Sequence, residues 1–192
     1  MSHELARTTD SVSGGLVAGT RSGETANATG KFTLECYDKD GILKWRAEES
    51  NLVVNVGLQY MAGVALTATA QSTSWYIGLY GAAASNNPAA GDTAASHAGW
   101  TEVTAYSNAT RPVATFAAAT LANPSVVTNS ASPASFSING STTVGGAFLI
   151  NNSAKSGTTG TLFSAADFQA PGDRSVVSGD TLNVTYTFSL TG

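Results

Sequence analysis

Hydrophobic and polar positions alternate along much of the chain, most regularly near its C-terminus. Between residues 182 and 190, apolar side chains occupy every second position and uncharged polar side chains fill the positions between them. Successive side chains of a strand point to opposite faces of a sheet, so the pattern predicts a strand with one buried and one polar face. A slip of one residue would bury the polar face, so the register of this strand is firmly specified.

A β-hairpin is predicted over residues 31–47. Residues 31–37 alternate in the same way, Asp38-Lys39-Asp40-Gly41 follows, and apolar residues return from Ile42 onward. Asp tolerates left-handed backbone geometry and Gly adopts it freely, so the four residues favour a tight turn. They also resemble the start of a calcium loop, but the acceptors that such a loop needs downstream are missing, and no calcium site is predicted.

One short helix is predicted at about residues 52–66. Asn51 or Ser50 is suited to cap its start. Apolar residues recur there at helical spacing, namely at Val54, Leu58, Met61, Ala62 and Ala65. Two glycines weaken the helix intrinsically, so we expect it to pack on a sheet and cover one end of it.

The rest of the pattern predicts further strands and turns. Asn139-Gly140 favours a hairpin turn, and Gly145-Gly146 suggests a bulge. Strands are predicted near residues 75–80, 100–103, 111–117, 136–138, 144–150, 162–163 and 175–177. The fold class is therefore all-β, with residues 31–192 forming a β-sandwich of the jelly-roll type.

Residues 1–30 differ from the rest because they are rich in glycine, contain no aromatic residue and have few apolar side chains. Such a segment cannot fold alone. It is either a tail without fixed structure or an extended N-terminal arm that becomes ordered on a neighbouring subunit. In the second case Leu16 and Val17 would grip the partner, and we count Arg7 and Arg21 among the partner-facing residues.

Charge is scarce. Only 11% of the residues are charged and the net charge is -4, whereas about 25% is usual. The composition fits a protein that lies against other protein and equally an extracellular β-protein. Basic residues form no cluster, so neither a nucleic-acid partner nor a membrane surface is predicted. No signal peptide or membrane-spanning segment is expected from the pattern.

Candidate chemistry is sparse. His97 lies in a long loop over residues 81–99, with Asp92 five residues before it, and no nucleophile elbow accompanies them. His3, His97 and the single Cys36 lie too far apart for zinc spacing, and Cys36 is expected to be a small buried hydrophobe. We therefore predict no enzyme activity, metal or cofactor.

Aromatic residues cluster around the long loop. They are either core residues or an exposed platform that stacks on sugars. The cluster consists of Trp75, Tyr76, Tyr80, Trp100 and Tyr106.

Several segments resemble structural proteins of tailed bacteriophages. They include Cys36 to Trp45, Asn51 to Leu58, Ser74 to Leu79, Ala95 to Glu102 and the strand that begins at Gly179. Together they cover most of residues 31–192. The resemblance implies a virion component, made in the host cytoplasm, and is nearest to jelly-roll capsid cement or decoration proteins.

These observations predict a cement protein on the capsid exterior that binds the major capsid protein and further copies of itself, as a dimer or trimer on the particle. Its partner-binding residues would include the arm, His97 and Trp100. The alternative is a tail or surface adhesion module that binds host carbohydrate. Head or tail location, copy number, symmetry position, oligomeric state and glycan binding stay open.

Overall fold

Eleven strands and one helix make up the part of the chain that the computed structural model describes, residues 26–81, 88–169 and 172–192. In chain order they are β1 (Asn27–Tyr37), β2 (Leu43–Ser50), β3 (Leu52–Val53), α1 (Asn55–Leu66), β4 (Tyr76–Gly81), β5 (Glu102–Val103), β6 (Ser125–Thr128), β7 (Ala134–Ser137), β8 (Thr142–Ile150), β9 (Leu162–Asp167), β10 (Arg174–Val176) and β11 (Thr181–Thr191).

The strands form two antiparallel sheets. The first has the order β2-β1-β11-β6, with β7 also beside β11, and the second has the order β3-β9-β8-β4-β5, with β10 also beside β8. Strands β1 and β11 pair along their whole length, from Asn27 opposite Thr191 to Tyr37 opposite Thr181. The predicted all-β sandwich is confirmed, and the jelly-roll connectivity stays a prediction.

The main core lies between the two sheets. Leu182, Val184 and Tyr186 of β11 are buried, as the alternation predicts. They share the core with residues of the second sheet, and Phe163 of β9 meets Phe188 of β11 edge to face, with 5.4 Å between ring centroids. The period of two therefore places the inner face correctly from Leu182 to Tyr186, whereas Leu190 near the end of β11 is 44% exposed.

A second apolar cluster lies on the other face of the second sheet. Every residue of β8 from Val144 to Ile150 is buried, so this strand is covered on both sides. Trp100 and Ala94, in the segment after residue 88, cluster there with Phe148. Ala94 and Trp100 thus contribute to a third layer over the second sheet.

Two predicted backbone features are confirmed. In the β1–β2 turn, Asp38 Oδ1 accepts hydrogen bonds from the backbone N–H groups of Asp40 and Ile42, each at 2.9 Å. Gly41 adopts a φ of 77°, which glycine tolerates without steric cost. In β8, the pairing with β4 skips Gly145, which is the predicted bulge.

The helix is shorter than predicted and its cap differs. It begins at Asn55, because Leu52 and Val53 instead pair with β9 as β3. Neither Ser50 nor Asn51 caps it: the N-cap is Val54, which has no side-chain cap. The Asn51 amide instead donates to the Tyr186 hydroxyl at 2.8 Å.

Two further predictions are wrong. Residues 111–117 form no strand, and only Val113 makes a single bridge, to Tyr76. Pro112 lacks an N–H for a ladder, and the preceding Arg111 is engaged elsewhere. Asn139-Gly140 closes no hairpin, because it joins β7 of the first sheet to β8 of the second.

The sheet also starts before the boundary expected between arm and domain. Strand β1 begins at Asn27 rather than near residue 31, and Gly30 O accepts a hydrogen bond from Asn51 N at 2.9 Å. Residues 27–30 therefore belong to the sandwich.

Candidate functional site

A cleft of about 250 Å³ lies beside the third layer. Phe148 and Ile150 of β8 contribute to its wall. His97 and Trp100 line it from the long loop, and Ser156 lines it from the loop between β8 and β9. Two loops that are distant in sequence thus meet at one place on the second sheet.

A buried ion pair forms part of the cleft wall. Arg111 Nε donates to Glu102 Oε1 at 2.8 Å, and Arg111 Nη2 donates to Glu102 Oε2 at 2.8 Å. The side chains are only 3% and 5% exposed, respectively. Such a bidentate pair is specific in geometry, and it is stable when buried only if further hydrogen bonds satisfy its other polar atoms.

Those further hydrogen bonds come from the loop between β8 and β9. Arg111 Nη1 donates to Asn152 O at 2.9 Å, and the backbone N–H of Arg111 donates to Ser153 O at 2.8 Å. The backbone N–H of Ser156 donates to Glu102 Oε2. The ion pair therefore fastens this loop to the segment that follows β5.

Trp100 is a structural residue rather than a partner-facing one. It is 3% exposed, and its Nε1 donates to Asp92 Oδ2 at 3.0 Å. The His97 ring stacks on it with 3.9 Å between ring centroids. The prediction that Trp100 faces a partner is wrong. Strand β8 is apolar on both faces, so its outer face must be covered, and Trp100 covers it.

His97 is half-buried at the cleft. Its Nδ1 lies 2.9 Å from Trp100 O, a contact that fixes the ring over the indole. Within the ranges that the structure describes, no hydroxyl, thiol or carboxylate forms a hydrogen bond with His97. Asp92 is occupied instead by the Trp100 indole and by Ala89 N. The geometry assembles no nucleophile and base at this residue.

Cys36 is fully buried in β1, as expected of a small hydrophobe. Burial, followed by the nearby Asp180 carboxylate, raises the pKa of its thiol to about 11. Asp180 itself forms an ion pair with Lys44 at 2.5 Å and accepts from Val177 N at 2.8 Å. The thiol is thus protonated and inaccessible at neutral pH.

The remaining rings of the predicted aromatic cluster do not form a platform. Tyr80 and Tyr106 are buried, and Trp75 and Tyr76 are half-buried and packed against the core. Trp75 lies between Tyr60 and Phe163 in edge contacts with centroid distances of 5.3 and 5.4 Å. These rings serve packing, which is the alternative that the sequence left open.

Other predicted partner-facing residues lie outside the described ranges. They are Arg7, Leu16, Val17 and Arg21 of the predicted arm. Residues 82–87 of the long loop lie outside them too.

Helix α1 packs on the sheet with a different side than the sequence predicts, because Leu58, Ala62 and Ala65 of the predicted apolar repeat are exposed. Its buried side is held against β9, where Gly57 lies so close to Phe163 O that a Cβ would clash. Its opposite side carries Leu58, Ala62, Ala65 and Leu66, all exposed, together with the exposed polar side chains of Asn55 and Gln59; Leu58 is 45% and Leu66 85% exposed. We call these six residues the outer face of α1.

The helix contains no charged residue from Asn55 to Leu66. Surface helices normally place charged side chains opposite the core, so the lack of charge is a signal that could have been found in the sequence.

Two features are absent from the described residues. Among residues 26–81, 88–169 and 172–192, no helix has the length and apolar character needed to cross a membrane. In the same ranges, no group of three or more His, Cys, Asp or Glu side chains is placed to hold a metal ion.

No protein-family model, curated protein or solved structure matches the chain.

Proposed function

We propose that this chain is a structural protein of a tailed-phage virion, a cement protein that binds the outside of the capsid shell and clamps neighbouring major capsid protein subunits. The observation that carries the proposal is the outer face of α1, which is uncharged and exposes the large apolar side chains of Leu58 and Leu66 beside the polar Asn55 and Gln59. An exposed apolar patch of this kind is typical of a protein–protein contact.

The buried charges of the sandwich support a binding role over a chemical one. Asp92, Arg111 and Asp180 are buried, the Glu102 side chain is only 5% exposed, and each is engaged in hydrogen bonds that hold a loop or turn. These groups stiffen the loops around the sheets. A stiff scaffold loses little conformational freedom when it binds, which favours affinity.

The mechanism is avidity. Many copies, each with a modest contact through α1 and a further contact through the arm, would hold adjacent shell subunits together. The carbohydrate alternative is less well supported, because Trp100, Tyr80 and Tyr106 are buried and leave no aromatic platform in that cluster.

The test uses heads from the same phage that lack this protein. Purified protein is added, and its occupancy on the heads is measured by cryo-electron microscopy and sedimentation. We expect Leu58→Gln combined with Leu66→Gln to weaken decoration by about tenfold or more, since apolar contact area is removed from the interface. Ile42→Gln is the matched control, because Ile42 is an exposed apolar residue in the β1–β2 turn.

An arm variant completes the design. Leu16→Ser with Val17→Ser tests the arm without shortening β1, which a deletion through residue 30 would do. Full decoration by both variants, or labelling of tails instead of heads in micrographs of the native virion, would rule out the proposal.

A further inference from the structure

We propose that two copies of this chain associate through strand β2, in an antiparallel pairing centred on Ala47 that joins the first sheets of the two sandwiches. Such a pair would form in solution without a shell, so this contact goes beyond the proposed role on a capsid.

Strand β2 is an open edge of the first sheet. It is the terminal strand of that sheet and has β1 on one side. Among residues 26–81, 88–169 and 172–192, no backbone hydrogen bond joins Leu43–Ser50 to any segment other than β1. The outward N–H and C=O groups of such an edge are a template for a further strand.

Other edges of the sandwich are short or are covered by neighbouring segments. Beside β6, Ala117 N donates to Thr128 O at 3.0 Å, and beside β7, Ser107 N donates to Ser137 O at 2.8 Å. Strands β3, β5 and β10 have only two or three residues each. In the part of the chain that the structure describes, the eight-residue strand β2 is therefore the longest edge without a backbone partner.

The outer face of β2 carries two charges of opposite sign. Arg46 and Glu48 lie on this face two residues apart, and Arg46 Nη2 lies 2.5 Å from Glu48 Oε1. Their side chains are 51% and 39% exposed, respectively. Charges often protect an edge strand, because like charges that meet across two strands repel each other. Here the signs differ, so the effect of the charges depends on the register.

One register sets opposite charges against each other. A two-fold axis through Arg46 or through Glu48 would bring that residue against its own copy, which is unfavourable. An axis at Ala47 instead places Arg46 of each copy opposite Glu48 of the other. The four charges then alternate in sign around the axis. Ala47 itself is buried and points to the core, so it adds no bulk between the strands.

The strand is also held in place before association. The Trp45 indole donates to Ser175 O at 3.4 Å and meets the Phe168 ring edge to face, with 6.0 Å between ring centroids. A fixed edge loses little conformational freedom when a second strand pairs with it. The backbone ladder would then supply the contact, and the two charge pairs would select the register.

Charge reversal in the full chain tests the inference. Sedimentation velocity is measured over a concentration series for the wild type, for Arg46→Glu and for Glu48→Arg. We expect a monomer–dimer equilibrium in the wild type. Each variant should raise the dimer dissociation constant by about tenfold or more, because it turns two attractive pairs into two repulsive ones.

Mixing the two variants gives the sharper result. In a mixed dimer one copy carries only acidic and the other only basic side chains at positions 46 and 48, so an equimolar mixture should dimerise about as well as the wild type. Lys39→Glu and Asp40→Lys are the matched controls. They reverse the charges of an exposed ion pair in the β1–β2 turn, outside the proposed pairing, and should leave the dissociation constant unchanged.

Three outcomes would overturn the inference. The first is a wild type that stays monomeric up to about a millimolar. The second is a dimer that Arg46→Glu and Glu48→Arg do not weaken, because association would then use another surface. The third is a mixture that associates no better than the single variants, whose folding is checked by cooperative unfolding in urea. No shell is present in these measurements, so their outcome stands apart from that of the decoration test.

Discussion

Replacing Glu102 with glutamine removes one charge of the buried ion pair while it keeps the size of the side chain. The Arg111 guanidinium is 3% exposed, so its charge would be left in the interior without a counter-charge. It would still donate to Asn152 O. The perturbation therefore tests whether the ion pair, rather than the loop's carbonyl groups alone, holds the loop between β8 and β9.

The expected loss follows from the burial of both partners. Removing one partner of a buried pair costs about 3–5 kcal/mol, because an uncompensated charge stays in the interior. The remaining carbonyl acceptor favours the lower end, about 3 kcal/mol. For a domain of this size, 1 kcal/mol corresponds to about 2–4 °C, so the melting temperature should fall by about 6–12 °C.

Urea unfolding and calorimetry of the wild type and of Glu102→Gln measure this loss directly. The control is Glu48→Gln, which removes ion pairs with Lys31 and Arg46 on the surface, where the Glu48 side chain is 39% exposed. Exposed pairs contribute about 0–1 kcal/mol, so the control should be nearly neutral.

A double variant checks the reasoning further. Glu102→Gln combined with Arg111→Met should lose less than the sum of the two single variants, because no unpaired charge remains. If Glu102→Gln lost no more stability than Glu48→Gln, the ion pair would not be what fastens the loop, and the account of the cleft wall would be wrong.

Three further predictions concern the core. Gly146→Ala should lower the free energy of unfolding in urea by about 1–3 kcal/mol or more, because the added Cβ would clash with Ala166 O and with the Tyr80 ring. The pKa of the Cys36 thiol is 9.0 in the unfolded chain and about 11 in the folded state. Between these pH values the unfolded chain releases a proton that the folded state retains, so the free energy of unfolding should fall as the pH rises. Cys36→Ala should show a smaller fall in urea titrations over that range. Trp100→Phe should cost about 1.5–3 kcal/mol in thermal unfolding, because it leaves the buried Asp92 carboxylate without the indole donor.

The features that the sequence predicts correctly are those with local causes. The alternation in β11 follows from the two-residue period of a strand, and the β1–β2 turn follows from the chemistry of Asp38 and Gly41. The bulge at Gly145 also follows from a residue that accepts irregular backbone geometry. None of these requires knowledge of the partner strand.

The wrong predictions concern what a segment meets across the fold. Asn139-Gly140 has hairpin chemistry, but the two flanking strands lie in different sheets, and turn residues carry no information about that. Residues 111–117 look like a strand, yet Arg111 is drawn into an ion pair with Glu102, whose partnership is set by tertiary structure. Local pattern cannot identify such a pair in a stretch without regular periodicity.

Trp100 is an instructive intermediate case. The run from Val144 to Ile150 is continuously apolar, which is typical of a strand buried on both faces. Such a strand must be covered by other residues on both faces. The aromatic residues near the long loop are large apolar side chains that can cover it. The sequence therefore predicts that an aromatic residue covers this strand, but it does not predict that this residue is Trp100.

The distribution of the few charges connects the fold with the proposed role. A buried charge is costly unless several groups satisfy it, so each of Asp92, Glu102, Arg111 and Asp180 fixes a loop or turn in a defined place. Charge is scarce in the whole sequence, at 11% of the residues, so contacts with a partner gain little from electrostatic attraction. Such contacts depend on shape and on apolar area, of which the outer face of α1 supplies a modest amount. A modest contact becomes strong only when it is repeated, which is why a role with many copies on one large assembly suits this chain better than a role as a single tight binder.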